Sequence, residues 1–256
     1  MSAAAILLRK ELLESWRTLR LPIVAGLFLL VGLSSPLLAR FLPEIITAAA
    51  GDQIPPIPIL TPVAADAVDQ LWKNLAQFGA LAAIVLAMGS VATERDRGTA
   101  AFILSKRVSR GQFIAAKVVA LGLVLAACVV LGVAAGWGYT AILFEPLPVV
   151  GWAGLAVLAW LNLSAWAAIT FLASTVTGSA AAAAGVGFVG LLVLSIASAV
   201  PGVGRYLPGG LAEPAVALAA GAPVDPGDVL TPVIATAVAI VAAVALAAWS
   251  FRRQEL

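Results

Sequence analysis

Histidine is absent from this 256-residue chain, and cysteine occurs once, at Cys128. Those absences remove histidine metal ligation, histidine-held haem, Ser–His and Cys–His nucleophilic pairs, and any disulfide within the chain. Charge is scarce too. Asp, Glu, Lys and Arg make up 11% of the residues, against about 25% in an ordinary soluble domain. Apolar residues fill the gap, at 62% with a mean hydropathy of +1.07. A soluble globular domain and a disordered chain are both excluded. An all-α integral membrane protein remains.

Crossing about 30 Å of hydrocarbon takes roughly 20 apolar helical residues. Charge-poor runs of that size predict six spans, at about 21–40, 74–93, 118–144, 152–173, 180–200 and 229–251. The uncharged run Pro146–Gly204 is too long for one span. It breaks at Ser174-Thr175-Val176-Thr177-Gly178-Ser179, giving spans four and five. The first apolar stretch follows a charged leader and lacks a small-x-small cleavage site, so it is expected to be a retained helix. The whole chain, 1–256, is expected to form a single transmembrane domain.

The few charges set an orientation. With six spans both termini share one side, which carries 12 of the 15 basic and 5 of the 13 acidic residues. Its net charge is +7, and that of the opposite side is −5. The positive-inside rule makes the basic side, with both termini, cytoplasmic. The same rule accounts for the basic residues, so no nucleic-acid partner is called for. The expected location is a cell (inner) membrane.

Three segments are not simple spans. Residues 2–20 have Ala5, Leu8, Leu12, Trp16 and Leu19 at helical spacing, and Arg9, Lys10, Glu14 and Arg17 lie mainly elsewhere. They predict a helix in the cytoplasmic interface that turns into span one at Pro22. The alternative is a cytosolic extension of span one. The outer loop, about Phe41–Trp72, is proline-rich at Ile54–Pro58 and Thr61-Pro62, which excludes regular helix there. Helical pattern resumes over Ala64–Lys73, with Asp69 and Lys73 at i,i+4 as a solvated pair or, less simply, a substrate contact. Residues 201–228 have Gly and Pro around a short apolar stretch, Pro214–Ala222. They predict a re-entrant segment before span six that packs on the bundle.

The spans hold little chemistry. Asn162, Ser164, Thr170 and Ser174 of span four form the main polar set, with Trp160 and Trp166 nearby. They serve interhelical hydrogen bonding and packing or, for Asn162, Ser164, Trp166 and Thr170, a substrate path. Gly132-x-x-x-Gly136 and Gly185-x-Gly187-x-x-Gly190 predict close helix contacts, one of which could be a dimer seam. Lack of charge at mid-bilayer counts against an ion-coupled carrier. Lack of His and of paired carboxylates there counts against a membrane enzyme.

The largest cytoplasmic loop, 94–117, combines a short helix over about Thr99–Leu104, an apolar Phe102-Ile103-Leu104 patch, and a capping-box pattern at Ser109 and Gln112. Apolar anchors with a charged rim make a docking surface. No G-x-x-x-x-G-K-[ST] occurs, so an ATP-driven pump of this kind needs its ATPase in another chain.

The pattern E-x-x-x-G-T after span two (Glu94, Gly98, Thr99), followed by a basic Val108-Ser109-Arg110-Gly111-Gln112-Phe113 entry into span three, resembles the ABC-2 type of ABC transporter permease. The leading helix with Lys10-Glu11, the six spans, the re-entrant stretch and the closing Phe251–Leu256 are similar in layout. The resemblance implies a non-enzymatic permease that works as a dimer with a second copy or homologue, with an ATP-binding cassette subunit on each half. ATP and Mg would be held by those partners and no cofactor by this chain. It implies that Glu94, Gly98 and Thr99 shape the coupling turn and that Phe102, Ile103 and Leu104 contact the ATPase. The uncharged interior favours an apolar or amphipathic substrate, or a lateral lipid route, and export is the expected direction. The other readings are an ATPase-coupled scaffold or sensor without transport, and a stand-alone carrier or channel.

Overall fold

Among the described residues, six helices are long and apolar enough to cross a membrane: Arg20–Ile45, Ala64–Asp96, Arg110–Leu143, Val149–Thr177, Ala180–Ser198 and Pro226–Arg253. The computed structural model describes residues 3–50, 61–105 and 108–254. Among them there is no strand. The elements are α1 (Ala3–Arg17), α2 (Arg20–Ala50), α3 (Ala64–Asn74), a π-helical turn at Leu75–Gly79, α4 (Ala80–Met88), α5 (Ala92–Asp96) and α6 (Thr99–Leu104). Then come α7 (Arg110–Leu143), α8 (Val149–Thr177), α9 (Ala180–Ser198), two 3₁₀ turns at Gly204–Tyr206 and Pro208–Leu211, α10 (Ala212–Ala219) and α11 (Pro226–Arg253). The proline-rich Ile54–Pro58 and the basic Lys106 and Arg107 lie outside the described residues.

The first span differs from expectation at both ends. α1 stops at Arg17, and the chain turns at Leu19, whose φ of +59° is left-handed. Pro22 falls inside the first turn of α2, where a missing N–H has no helical partner to lose. At its far end α2 continues to Ala50, through Pro36 and Pro43. The expected end near residue 40 tracked the charges Arg40 and Glu44, which limit a membrane core but not a helix. The expected outer loop therefore does not begin at Phe41.

Lipid tails are as apolar as Leu, so packing quality and not water exclusion holds these helices together. α8 is the hub, against α4, α7, α9, α10 and α11. Leu155, Leu163 and Phe171 of α8 are buried with Phe28, Leu71, Leu75 and Leu125. α2 crosses α7 at Gly132, where a Cβ would lie 2.8 Å from the Phe28 carbonyl oxygen. The GxxxG spacing thus serves contacts within the chain: Gly132 faces α2, and Gly136 faces Leu71 of α3 as well as Gly32 of α2. Of the second glycine set, Gly187 sits on Thr170 of α8 while Gly185 meets nothing within 4 Å.

Between α9 and α11 the chain folds back as two 3₁₀ turns and α10, with Leu211, Ala215 and Ala219 fully buried. The short helix packs on α8 and α3, as the Pro/Gly-rich pattern predicts. α11 is capped by Asp225, whose carboxylate accepts the Gly227 N–H at 2.9 Å, with Pro226 at its first position.

Candidate functional site

α5, five residues long, hangs between the other elements at the N-terminal end of the bundle. Its start is capped from another helix. Ser174 Oγ of α8 accepts the N–H groups of Val91 at 3.3 Å and Ala92 at 3.1 Å. These are the donors that a helix start leaves without partners. Its end is set by Gly98, whose φ of +69° is a conformation that side chains with a Cβ resist. Thr99 Oγ1 then donates to the Glu94 carbonyl at 3.0 Å and ties α6 back to α5. Glu94, Gly98 and Thr99 thus form one turn.

Adjacent side chains of α5 reach opposite ways. Glu94 Oε1 accepts from Lys10 Nζ of α1 and lies 3.1 Å from Lys117 Nζ of α7. Lys117, 4% exposed, also pairs with Glu11 at 3.0 Å and sits 5.0 Å from the centre of the Phe113 ring. Lys10 reaches Glu11 at 3.0 Å and Glu14 at 3.1 Å. Burial alone would lower the Lys10 pKa. The hydrogen bond to Glu94 and the charge of Glu11 outweigh it, so the ammonium is held above its ordinary value and stays charged at any physiological pH. Carboxylate oxygens of Glu11, Glu14 and Glu94 lie within 4.8 Å of one another. The ammonium groups of Lys10 and Lys117 offset two of these three charges, which leaves the trio one cation short.

On the other side, Arg95 Nη1 donates to Gln254 Oε1 at 3.2 Å, and Gln254 Nε2 donates to the Thr175 carbonyl at 2.9 Å. Arg110 Nη1 donates to the carbonyls of Phe251, Arg252 and Gln254 at 2.8–3.0 Å. Phe113 stacks on Phe251 with ring centroids 5.3 Å apart. Ser109 and Gln112 make both bonds of the capping box that starts α7. One short helix therefore joins α1, α7, the end of α8 and the end of α11.

The apolar patch divides. Phe102 is 66% exposed, while Ile103 and Leu104 are half-buried against the core. α1 follows its sequence pattern only in part. Leu12 packs on the core with Leu7, Lys10 and Glu11 beside it, while Ile6, Leu13, Trp16 and Leu19 are exposed. The reason is Lys117 and Glu94. A buried ion pair on α7 and α5 draws the charged side of α1 inward.

The polar set of α8 is not gathered in one place. Asn162, Trp166 and Thr170 are buried, and Thr170 Oγ1 donates to the Trp166 carbonyl at 2.9 Å. Ser164 borders a lateral groove of about 440 Å³ between α7, α8 and α11. Trp166 borders a larger cavity, about 1060 Å³, at the opposite end. That cavity also takes in Asp69 and Lys73, which pair with each other. Sequence reasoning missed the roles of Lys117, Arg95, Ser174 and Gln254. Lys117 alone left a signal, a lysine two turns into an otherwise apolar helix.

Six apolar helices closed at one end by a buried charge network define a multi-pass membrane protein. It belongs to the ABC-2 family of transporter proteins, whose profile matches residues 5–217. It is also 31% identical over 222 residues to the uncharacterized transmembrane protein YxlG of Bacillus subtilis (strain 168), with 81% of each chain covered. Family membership makes it a membrane component of an ABC transporter, a class that generally works with ATPase subunits.

Proposed function

We propose that this chain is the permease subunit of an ABC transporter. It forms the translocation path and takes its drive from separate ATPase subunits, one on each half of a dimer completed by a second permease copy or a homologue. α1 lies in the cytoplasmic interface as an elbow, both termini are cytoplasmic, and the membrane is the inner (cell) membrane. ATP and Mg belong to the partner. Glu94, Gly98 and Thr99 hold the coupling turn, and Phe102 is its projecting contact, backed by Ile103 and Leu104. Ser164 and Trp166 serve the path at the two cavities they border, and Asn162 and Thr170 through the packing between those cavities. The nearly uncharged interior favours an apolar or amphipathic substrate, and the direction we assign is export.

The observation that carries this reading is the junction itself. A five-residue helix tied to four others is a poor scaffold for chemistry and a good lever. Force applied at Phe102 reaches α1, α7, α8 and α11 through named bonds. Co-purification with an ATP-binding cassette protein encoded beside this chain tests it. Stable complex formation is expected, and failure to associate under conditions that keep the permease folded contradicts it.

A further inference from the structure

A cavity of about 430 Å³ lies beneath α1, beside the junction. Its walls differ in kind. One is apolar, formed by Leu86, Leu121 and Val124. The other bears Arg20, Arg97 and the Thr93 hydroxyl, beside the lysines and carboxylates of the junction. Among the described residues neither Arg20 nor Arg97 forms an ion pair. Glu94 uses only one carboxylate oxygen; Oε2 is buried without a hydrogen-bond partner. At Gly89 the Thr93 hydroxyl and the Arg20 guanidinium flank the backbone closely. A Cβ there would lie 2.8 Å from Thr93 Oγ1 and 4.0 Å from Arg20 Nη2.

The cavity therefore offers three things at once: guanidinium groups and a hydroxyl for an oxyanion, a carboxylate oxygen short of a donor, and an apolar floor. An inorganic anion would satisfy the first alone. A phosphate ester with a protonated amine and a long acyl chain satisfies all three without adding net charge beside the carboxylates. We propose that this cavity binds one phosphatidylethanolamine molecule from the bilayer. Its phosphate sits at Arg20 and Arg97, its ammonium donates toward Glu94 Oε2 and Glu14, and an acyl chain runs along Leu121 and Val124. Charge-assisted hydrogen bonds of this type are the strong ones, and a quaternary ammonium has no N–H to make them. The site rests on the interfacial placement of α1 proposed above and is independent of transport. A lipid held there completes the hydrogen bonding of Glu94, so occupancy would tie the junction to the membrane's headgroup composition.

The full chain, purified in mild detergent and reconstituted into nanodiscs, is offered dioleoyl-phosphatidylethanolamine, -choline and -glycerol in equal amounts. Native mass spectrometry after release then counts the lipid retained. About one ethanolamine lipid per chain is expected, with the choline and glycerol lipids retained roughly tenfold less, a difference of about one good polar contact. Arg20→Gln with Arg97→Gln, both at exposed positions, should abolish that preference while thermal unfolding stays unchanged. Equal retention of the three lipids by the unaltered chain would overturn the proposal, and so would an undiminished preference in the double variant. Displacement of the lipid by soluble O-phosphoethanolamine would overturn the bilayer source. Loss of ATPase association leaves these outcomes untouched. An outside location of position 102 in a labelling assay would remove the placement on which the site rests.

Discussion

Glu94 is the residue on which the N-terminal end of the bundle depends, because it faces two lysines that lie far from it in sequence. Lys117 is almost fully buried and without Glu94 keeps only Glu11 as a partner. Glu94→Ala should therefore destabilise the protein by about 1.5–3 kcal/mol, the loss of a hydrogen bond to a charged group, read from thermal unfolding in detergent. Glu94→Ala with Lys117→Met should recover most of that loss, since the half-paired buried ammonium is then gone. Equal instability of the single and double variants would show that the pair is not what orders the junction. Gly98 carries a different constraint. Its left-handed φ predicts a cost of about 1–2 kcal/mol for Gly98→Ala, with the loss falling on the α5–α6 turn and not on the spans.

Two contacts between elements decide how the junction is transmitted. Ser174 caps α5 from α8, so Ser174→Ala leaves two N–H groups without their acceptor. A lost cap costs about 0.5–2 kcal/mol, and hydrogen exchange should rise at Val91 and Ala92 before it rises in the spans. At the α2–α7 crossing, Gly132→Val would drive a side chain into the Phe28 carbonyl. Overpacking of about 1–3 kcal/mol is expected in thermal unfolding, with Gly185→Val, whose site is open, close to neutral. The helices were legible in the sequence because charge-free runs and caps such as Ser109–Gln112 are local signals. The π turn at Leu75–Gly79, the cap from Ser174 and the inward turn of Lys10 were not. Each depends on a partner in another helix, as Lys10 and Glu94 show across 84 positions. The extension of α2 past Arg40 was missed for another reason: charge marks where lipid ends, not where a helix does.

For the molecule as a whole, the proposed orientation puts the basic end of the bundle, which carries the junction, on the cytoplasmic side. Cys128, the one cysteine, is buried, so single cysteines report orientation with little background. Phe102→Cys should label from the cytoplasmic side and Glu145→Cys from the outside, and the reverse pattern would contradict the orientation. The central claim is that α5 and α6 receive the drive of a separate ATPase. ATP hydrolysis by the purified complex, compared between the unaltered permease and Phe102→Ala with Ile103→Ala, tests it most directly. The account predicts that the paired substitution lowers permease-dependent hydrolysis by about tenfold or more, the loss of roughly one anchoring contact, while the permease keeps its thermal stability. Unchanged association and unchanged hydrolysis in that variant would contradict it.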